Sequence, residues 1–309
     1  IIFNECIFDS NHAGFNNNED YLSGYGGAWS VGMNTFIKHV HVTMTECQFL
    51  NNQADKYGGA LYISTTHPVL IDNCHFIGNH ANNNGAAIYT DFTKDTSPQQ
   101  FSIIGCTFNG NDATFDSSLY LDSNEDTLID VEGCTFGNNV AEKNIIYSKA
   151  QNLRIHDMKF EFPNTQSFAR PICLGRQSNT EIYNVDFVNC SMRSNNVEEE
   201  GTAIKAEDES YRLNVHDCKF NDGKSTGSSV ECYSNVALFH DNIFTSALYT
   251  ASGLHIENHG HIEVIGCVFS KLSYLKNSKV RSPLNIISHF TDIIIITENL
   301  TFSFFSFAS

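Results

Sequence analysis

Cys47-Gln48-Phe49-Leu50-Asn51-Asn52-Gln53-Ala54 is followed shortly by Gly58-Gly59-Ala60-Leu61-Tyr62-Ile63. The same order returns as Cys74-His75-Phe76-Ile77-Gly78-Asn79-His80-Ala81 and then Gly85-Ala86-Ala87-Ile88-Tyr89. Two copies of one pattern, 27 residues apart, make internal repetition the first question to settle. Working outward, the Cys-x-Phe signature recurs at Cys6, Cys106, Cys134, Cys218 and Cys267. Met158, Val185, Asn242 and Leu300 replace the cysteine in further copies, and phenylalanine keeps its place in all eleven. Apart from one interval of 41 residues, the spacing is 24–33 residues.

Each unit reads as three short strands. The residues five and three before the Cys position are apolar (Val42 and Met44, Val69 and Ile71, Ile129 and Val131, Leu213 and Val215, Ile262 and Val264), with mostly polar residues between them. That is the period of a half-buried strand. The residue before the Cys position is Gly, Asn or Asp in nine of the eleven copies, which places a left-handed corner there. A second strand turns the Cys position and the Phe inward. A third starts at a small-residue corner such as Gly58-Gly59-Ala60 and points Trp29, Leu61, Ile88, Leu119, Ile146, Ile172, Ile204, Val230, Leu254 and Leu284 inward. A single coil cannot bury its own inner face, so neighbouring coils must complete it. The expected fold is all-β: a right-handed parallel β-helix of about ten coils, one domain over residues 1–309, with well-kept repeats over 1–150 and degenerate ones over 151–309.

Composition narrows the function. Eighteen Lys plus Arg against 35 Asp plus Glu leave a net charge of -17. This argues against nucleic acid and against docking on an anionic membrane. No run of 18 apolar residues offers a membrane span. A first residue other than Met and a last repeat broken off at Leu300-Thr301-Phe302 suggest an internal piece of a longer chain.

Seven of the ten cysteines share one inward column, where parallel side chains are badly placed for disulfides; buried reduced thiols are expected. Asn11, Asn52, Asn79, Asn111 and Asn139 form another column, read as a turn ladder. His39 and His41, the triplet His259-Gly260-His261, and the acidic runs Glu198-Glu199-Glu200 and Glu207-Asp208-Glu209 lack the partners or spacing of a metal site. The sequons at Asn189 and Asn299 overlap coil positions. No cofactor, metal or catalytic residue is expected.

Two outward faces remain. Tyr62, Tyr89, Tyr120 and Tyr147 follow the inward residue of the third strand in four successive coils; they are expected to form an exposed, flat aromatic strip able to meet a sugar or a protein. On the first two strands of later coils, Arg154, His156, Lys159, Tyr183, Asp186, His216, Lys219 and His240 form the densest set of acid–base groups. They would serve a carbohydrate-active enzyme, although no carboxylate pair suited to glycoside hydrolysis is apparent.

The first five copies carry Phe-x-x-Asn-x-Ala, and Gly-Gly-Ala is intact at Gly26-Gly27-Ala28 and Gly58-Gly59-Ala60. This combination resembles the repeat of the polymorphic membrane proteins of chlamydiae and of similar protist surface proteins, within the pectate-lyase-like β-helix superfamily. The resemblance implies a secreted or cell-surface, adhesin-like region with a protein or glycan partner. A carbohydrate-active enzyme and a purely structural rod within an assembly are the alternative expectations.

Overall fold

The computed structural model describes residues 1–14, 23–32, 40–92, 100–114, 117–137, 139–141, 144–161, 170–175, 179–190, 202–207, 212–221, 228–245, 248–249, 253–258, 260–270, 273–274, 284–288, 292–296 and 303–304. His39, the run Glu198-Glu199-Glu200, Asp208, Glu209, His259, Asn299 and the Leu300-Thr301-Phe302 copy lie outside the described residues. The chain divides into two compact units, Ile1–Arg154 and Ile155–Ser309. Among the described residues no helix is long and apolar enough to cross a membrane; this says nothing of crossing by strands.

In the first unit every described neighbour pairing is parallel and in register. Val42–Thr45, Val69–Asp72, Gln100–Ile104 and Leu128–Glu132 stack as first strands. Gln48–Leu50, His75–Ile77, Thr107–Asn109 and Thr135–Gly137 stack as second strands, and Leu61–Ile63, Ile88–Thr90, Leu119–Leu121 and Asn144–Ser148 as third strands. A short further column, running from His12–Ala13 through Gln53–Ala54 to Val140–Ala141, joins second to third strand. The second unit repeats the scheme, with first strands Arg212–His216, Val236–His240, His261–Ile265 and Asp292–Ile296. Its third strands Ile204–Ala206, Val230–Cys232, Leu254–Asn258 and Leu284–Ser288 stack likewise.

The expected inward columns are the core. Val42, Met44, Val69, Ile71, Ile129 and Val131 are at most 2% exposed, as are Leu61, Ile88, Leu119 and Ile146. Phe8, Phe49, Phe76, Phe108 and Phe136 stack with centroids 4.7–5.0 Å apart and planes within 10° of parallel. In the second unit Phe160, Phe187, Phe220, Phe244 and Phe269 stack at 4.6–5.5 Å with planes within 7° of parallel.

Corners explain the punctuation. The residue before the Cys position has positive φ in every described copy, including Glu5 (52°) and Glu46 (54°), whose type does not favour it. A second left-handed corner, which the sequence reading did not resolve, falls two residues after Phe at Ser10, Asn51, Gly78, Gly110 and Asn189. The two glycines of Gly58-Gly59 serve different ends. Gly58 takes φ +68°, whereas a Cβ on Gly59 would run into the carbonyl oxygens of Ala86 and His80 in the next coil.

All ten cysteines are free, and those of the inward column from Cys47 onward are buried. Cys74, Cys106, Cys134 and Cys218 each donate to two carbonyls. Cys74 Sγ lies 3.3 Å from Asp72 O and 3.5 Å from Met44 O of the preceding coil, and Cys106 repeats this with Ile104 and Ile71. Where asparagine replaces cysteine, Asn242 Nδ2 donates to Val215 O (2.8 Å) and Asn242 Oδ1 accepts from Cys218 N–H (3.0 Å). Cysteine and Asn242 thus both donate from this column, whereas Met158 and Val185 fill it with apolar side chains alone. Burial pushes the Cys218 thiol up to about 12 and Cys267 to about 11. Native Cys47, Cys74, Cys106 and Cys134, all buried, should resist a thiol reagent and react once the chain is unfolded in the absence of reductant. Mass spectrometry of the unfolded, unreduced chain checks this; four unlabelled sites would show cross-linking instead.

Candidate functional site

Strand alternation turns the tyrosine column of the first unit outward. Tyr62 pairs in register with Tyr89, Tyr89 with Tyr120 and Tyr120 with Tyr147. Their rings stack at 5.6, 4.6 and 5.3 Å, with interplanar angles of 9°, 3° and 28°. The ladder is real, but the expected flat exposed strip is not. Tyr62 is 6% and Tyr120 7% exposed, while Tyr89 and Tyr147 are half-buried. Both faces of Tyr89 and of Tyr120 are covered by neighbouring tyrosines, so edges and hydroxyls are what these rings offer. Two further tyrosines, missed in the sequence, help close the face. Tyr25 and Tyr57 each precede a glycine pair and are bridged to one another. Tyr25 meets Tyr62 edge-on at 5.0 Å and Tyr57 lies 4.6 Å from Tyr89.

Charged groups flank this ladder. Register places Ser64, Asp91, Asp122 and Lys149 in one column, two residues after Tyr62, Tyr89, Tyr120 and Tyr147. Tyr62 donates its hydroxyl to Asp91 Oδ2 at 3.0 Å. Burial, and next the Asp91 charge, push the Asp122 carboxyl up to about 6. Lys149 Nζ lies 5.9 Å from the Tyr120 centroid and 5.8 Å from that of Tyr147; Lys56 lies 5.0 Å from Tyr25. Burial, then the Asp91 carboxylate, hold the Tyr62 hydroxyl well above the ordinary tyrosine range. These tyrosines are hydrogen-bonding groups rather than bases.

The histidine-bearing face belongs largely to the second unit, on Asn152–Glu161, Asn179–Val188, Arg212–His216 and Val236–His240. His156 stacks on Tyr183 (4.6 Å, 6°) and Tyr183 on His216 (5.1 Å, 4°). His156 is itself buried, and Arg154 is half-buried two residues before it. His240 lies beside His216 in register but bonds Glu263 Oε2 at 3.0 Å, and His261 bonds the other oxygen of Glu263 at 2.8 Å. His156 Nδ1 bonds Asp157 (2.7 Å) and His216 Nδ1 bonds Asp217 (2.8 Å), each across the left-handed corner. Lys219 pairs with Asp186 (3.7 Å), Lys159 with Glu161 (2.6 Å), and His216 with Glu181 (3.6 Å). Hydrogen bonding to His156 holds the Asp157 carboxyl below its usual range, and His261 does the same for Glu263. Asp157, Glu161, Glu181, Asp186, Asp217 and Glu263 thus each face a lysine or histidine. His216–Glu181, Lys219–Asp186 and His240–Glu263 join neighbouring coils while the other pairs lie within one coil, and the solvent-exposed ones among them each contribute little to stability.

The family model described as right handed beta helix region matches residues 93–269. The Chlamydia polymorphic membrane protein repeat matches residues 46–64 and 73–91, segments that contain Tyr62 and Tyr89. No curated protein and no solved structure is matched. With parallel strands stacked coil on coil in each unit and the family model covering more than half of its length, the chain belongs to the right-handed β-helix family and carries chlamydial polymorphic-membrane-protein repeats within it.

Proposed function

We propose that this chain is a non-catalytic contact region displayed outside the cell, and that the tyrosine face of its first unit meets a protein or glycan partner. The observation that carries this reading is the coincidence of two features. The two segments matched by the polymorphic membrane protein repeat hold Tyr62 and Tyr89, the first two tyrosines of the outward ladder. Surface display comes from the name of that repeat, and adhesion or a coat-forming role follows from display. The histidine face supports the same reading. Its carboxylates Asp157, Glu161, Glu181, Asp186, Asp217 and Glu263 each pair with a neighbouring histidine or lysine.

Turnover of uronic-acid polymers tests the non-catalytic reading. Pectin and alginate, each with and without calcium, should give no unsaturated product above the rate without protein. Product that appears with the wild-type chain and disappears in His216→Ala or Lys219→Ala would establish a carbohydrate-active enzyme instead.

A further inference from the structure

We propose that the outer third-strand face of the first unit docks a basic protein segment, whose lysine or arginine side chains enter the Asp91–Asp122 column beside Tyr89 and Tyr120. This rests on the reading of that face as the contact surface and names the chemistry of its partner. Four observations converge on a cationic occupant. First, the faces of Tyr89 and Tyr120 are already occupied by stacked rings, so a sugar ring cannot lie on them. The accessible groups are hydroxyl edges and carboxylates, which suit an ammonium or a guanidinium.

Second, Asp91 and Asp122 are adjacent in one column of parallel strands, where like charges oppose each other. Ser64 fills the same column one coil earlier, so the position takes a neutral residue; Asp91 also accepts the Tyr62 hydroxyl, a bond that needs an acceptor oxygen but not a charge. Third, the protein's own lysines already sit against this face at both ends, Lys56 over Tyr25 and Lys149 beside Tyr120 and Tyr147. The arrangement is one that holds cations. Fourth, a net charge of -17 draws a basic segment toward the chain and speeds encounter.

The test is fluorescence anisotropy of a labelled nona-arginine peptide titrated with the full chain at 150 mM salt. Asp91→Asn/Asp122→Asn should weaken binding about tenfold or more, as expected for loss of a close charge pair at an interface. Glu125→Gln/Asp126→Asn removes the same charge from exposed positions and should change affinity by less than about twofold. The aspartate variant should melt no lower than wild type at pH 7.5, because it removes a carboxyl whose ionisation burial opposes. Equal weakening by both charge-removing pairs would mean unspecific attraction to an acidic chain and would overturn the proposal. If Tyr89→Ser/Tyr120→Ser abolishes binding to a neutral glycan array while the aspartate variant changes nothing, the face is a contact surface but its cationic occupant is wrong. If neither pair alters binding to any probe, the contact-face reading itself fails.

Discussion

Replacing Asn79 with leucine should destabilise the first unit by about 3–5 kcal/mol, although the two side chains are similar in volume. Asn79 is fully buried and uses its whole amide. Its Nδ2 donates to Phe49 O of the preceding coil (2.9 Å) and to Asn111 Oδ1 of the next (2.9 Å). Its Oδ1 accepts from the Asn52 N–H and from Asn52 Nδ2, both at 3.0 Å. The same four-way pattern continues through Asn111 to Asn139, so each amide closes one coil onto its neighbours. Leucine would leave the Asn52 N–H and the Phe49 carbonyl without these partners inside the protein. A buried orphan of this kind costs about 1–3 kcal/mol, and there are two. Urea unfolding measures the loss. Hydrogen exchange should locate it, with protection falling first at residues 49–54 and 107–113. A loss under about 1 kcal/mol would mean that water or a shifted backbone replaces the amide.

Phe76→Ala should cost about as much, roughly 3–5 kcal/mol, by a different route. Its ring is fully buried and sandwiched between Phe49 at 4.7 Å and Phe108 at 5.0 Å. Removing it deletes buried apolar surface, breaks two stacked contacts and leaves a void that rigidly hydrogen-bonded strands cannot close. Phe76→Leu should recover more than half of the loss because it refills most of that space. Fraying limited to the coils around residue 76 would fit a solenoid, whose stability is a sum of neighbour terms. A loss of less than about 1 kcal/mol would contradict the buried stack.

Comparison of the two ladders shows which features a sequence exposes. Phe76 and Asn79 were legible because each sits at a fixed offset from Cys74 and their types recur coil after coil. The left-handed corners at Glu5 and Glu46 were not, since glutamate carries no preference for that conformation and only the position demands it. The corner at Asn51, Gly78 and Gly110 lies inside the Phe-x-x-Asn motif at a position whose residue type varies from coil to coil, so no single type marks it. The tyrosine ladder was readable as a column, but its burial was not. Tyr25 and Tyr57 cover Tyr62 and Tyr89 from a bridge just before the glycine pair, a placement that strand alternation does not predict. Asp91 and Asp122 could have been found by counting two residues on from Tyr89 and Tyr120. On the histidine face the stack of His156, Tyr183 and His216 follows from the register. The bonds from His156 to Asp157 and His216 to Asp217 depend on the corner bringing consecutive side chains together.

The tyrosine face either binds a partner or only supports the fold. The decisive measurement pairs affinity with stability in one double variant, Tyr89→Ser/Tyr120→Ser. Binding of the wild-type chain and of this variant would be compared on a panel of immobilised proteins, glycans and the chain itself, alongside urea unfolding of both. Stacked aromatic pairs contribute about 0.5–1.5 kcal/mol each, so some loss of stability is expected, with the variant still folded. Affinity for at least one surface should fall by about tenfold or more under conditions where the variant remains native. Unchanged affinity for every surface that the wild-type chain binds, together with reduced stability, would show that the ladder is structural and that the contact face lies elsewhere.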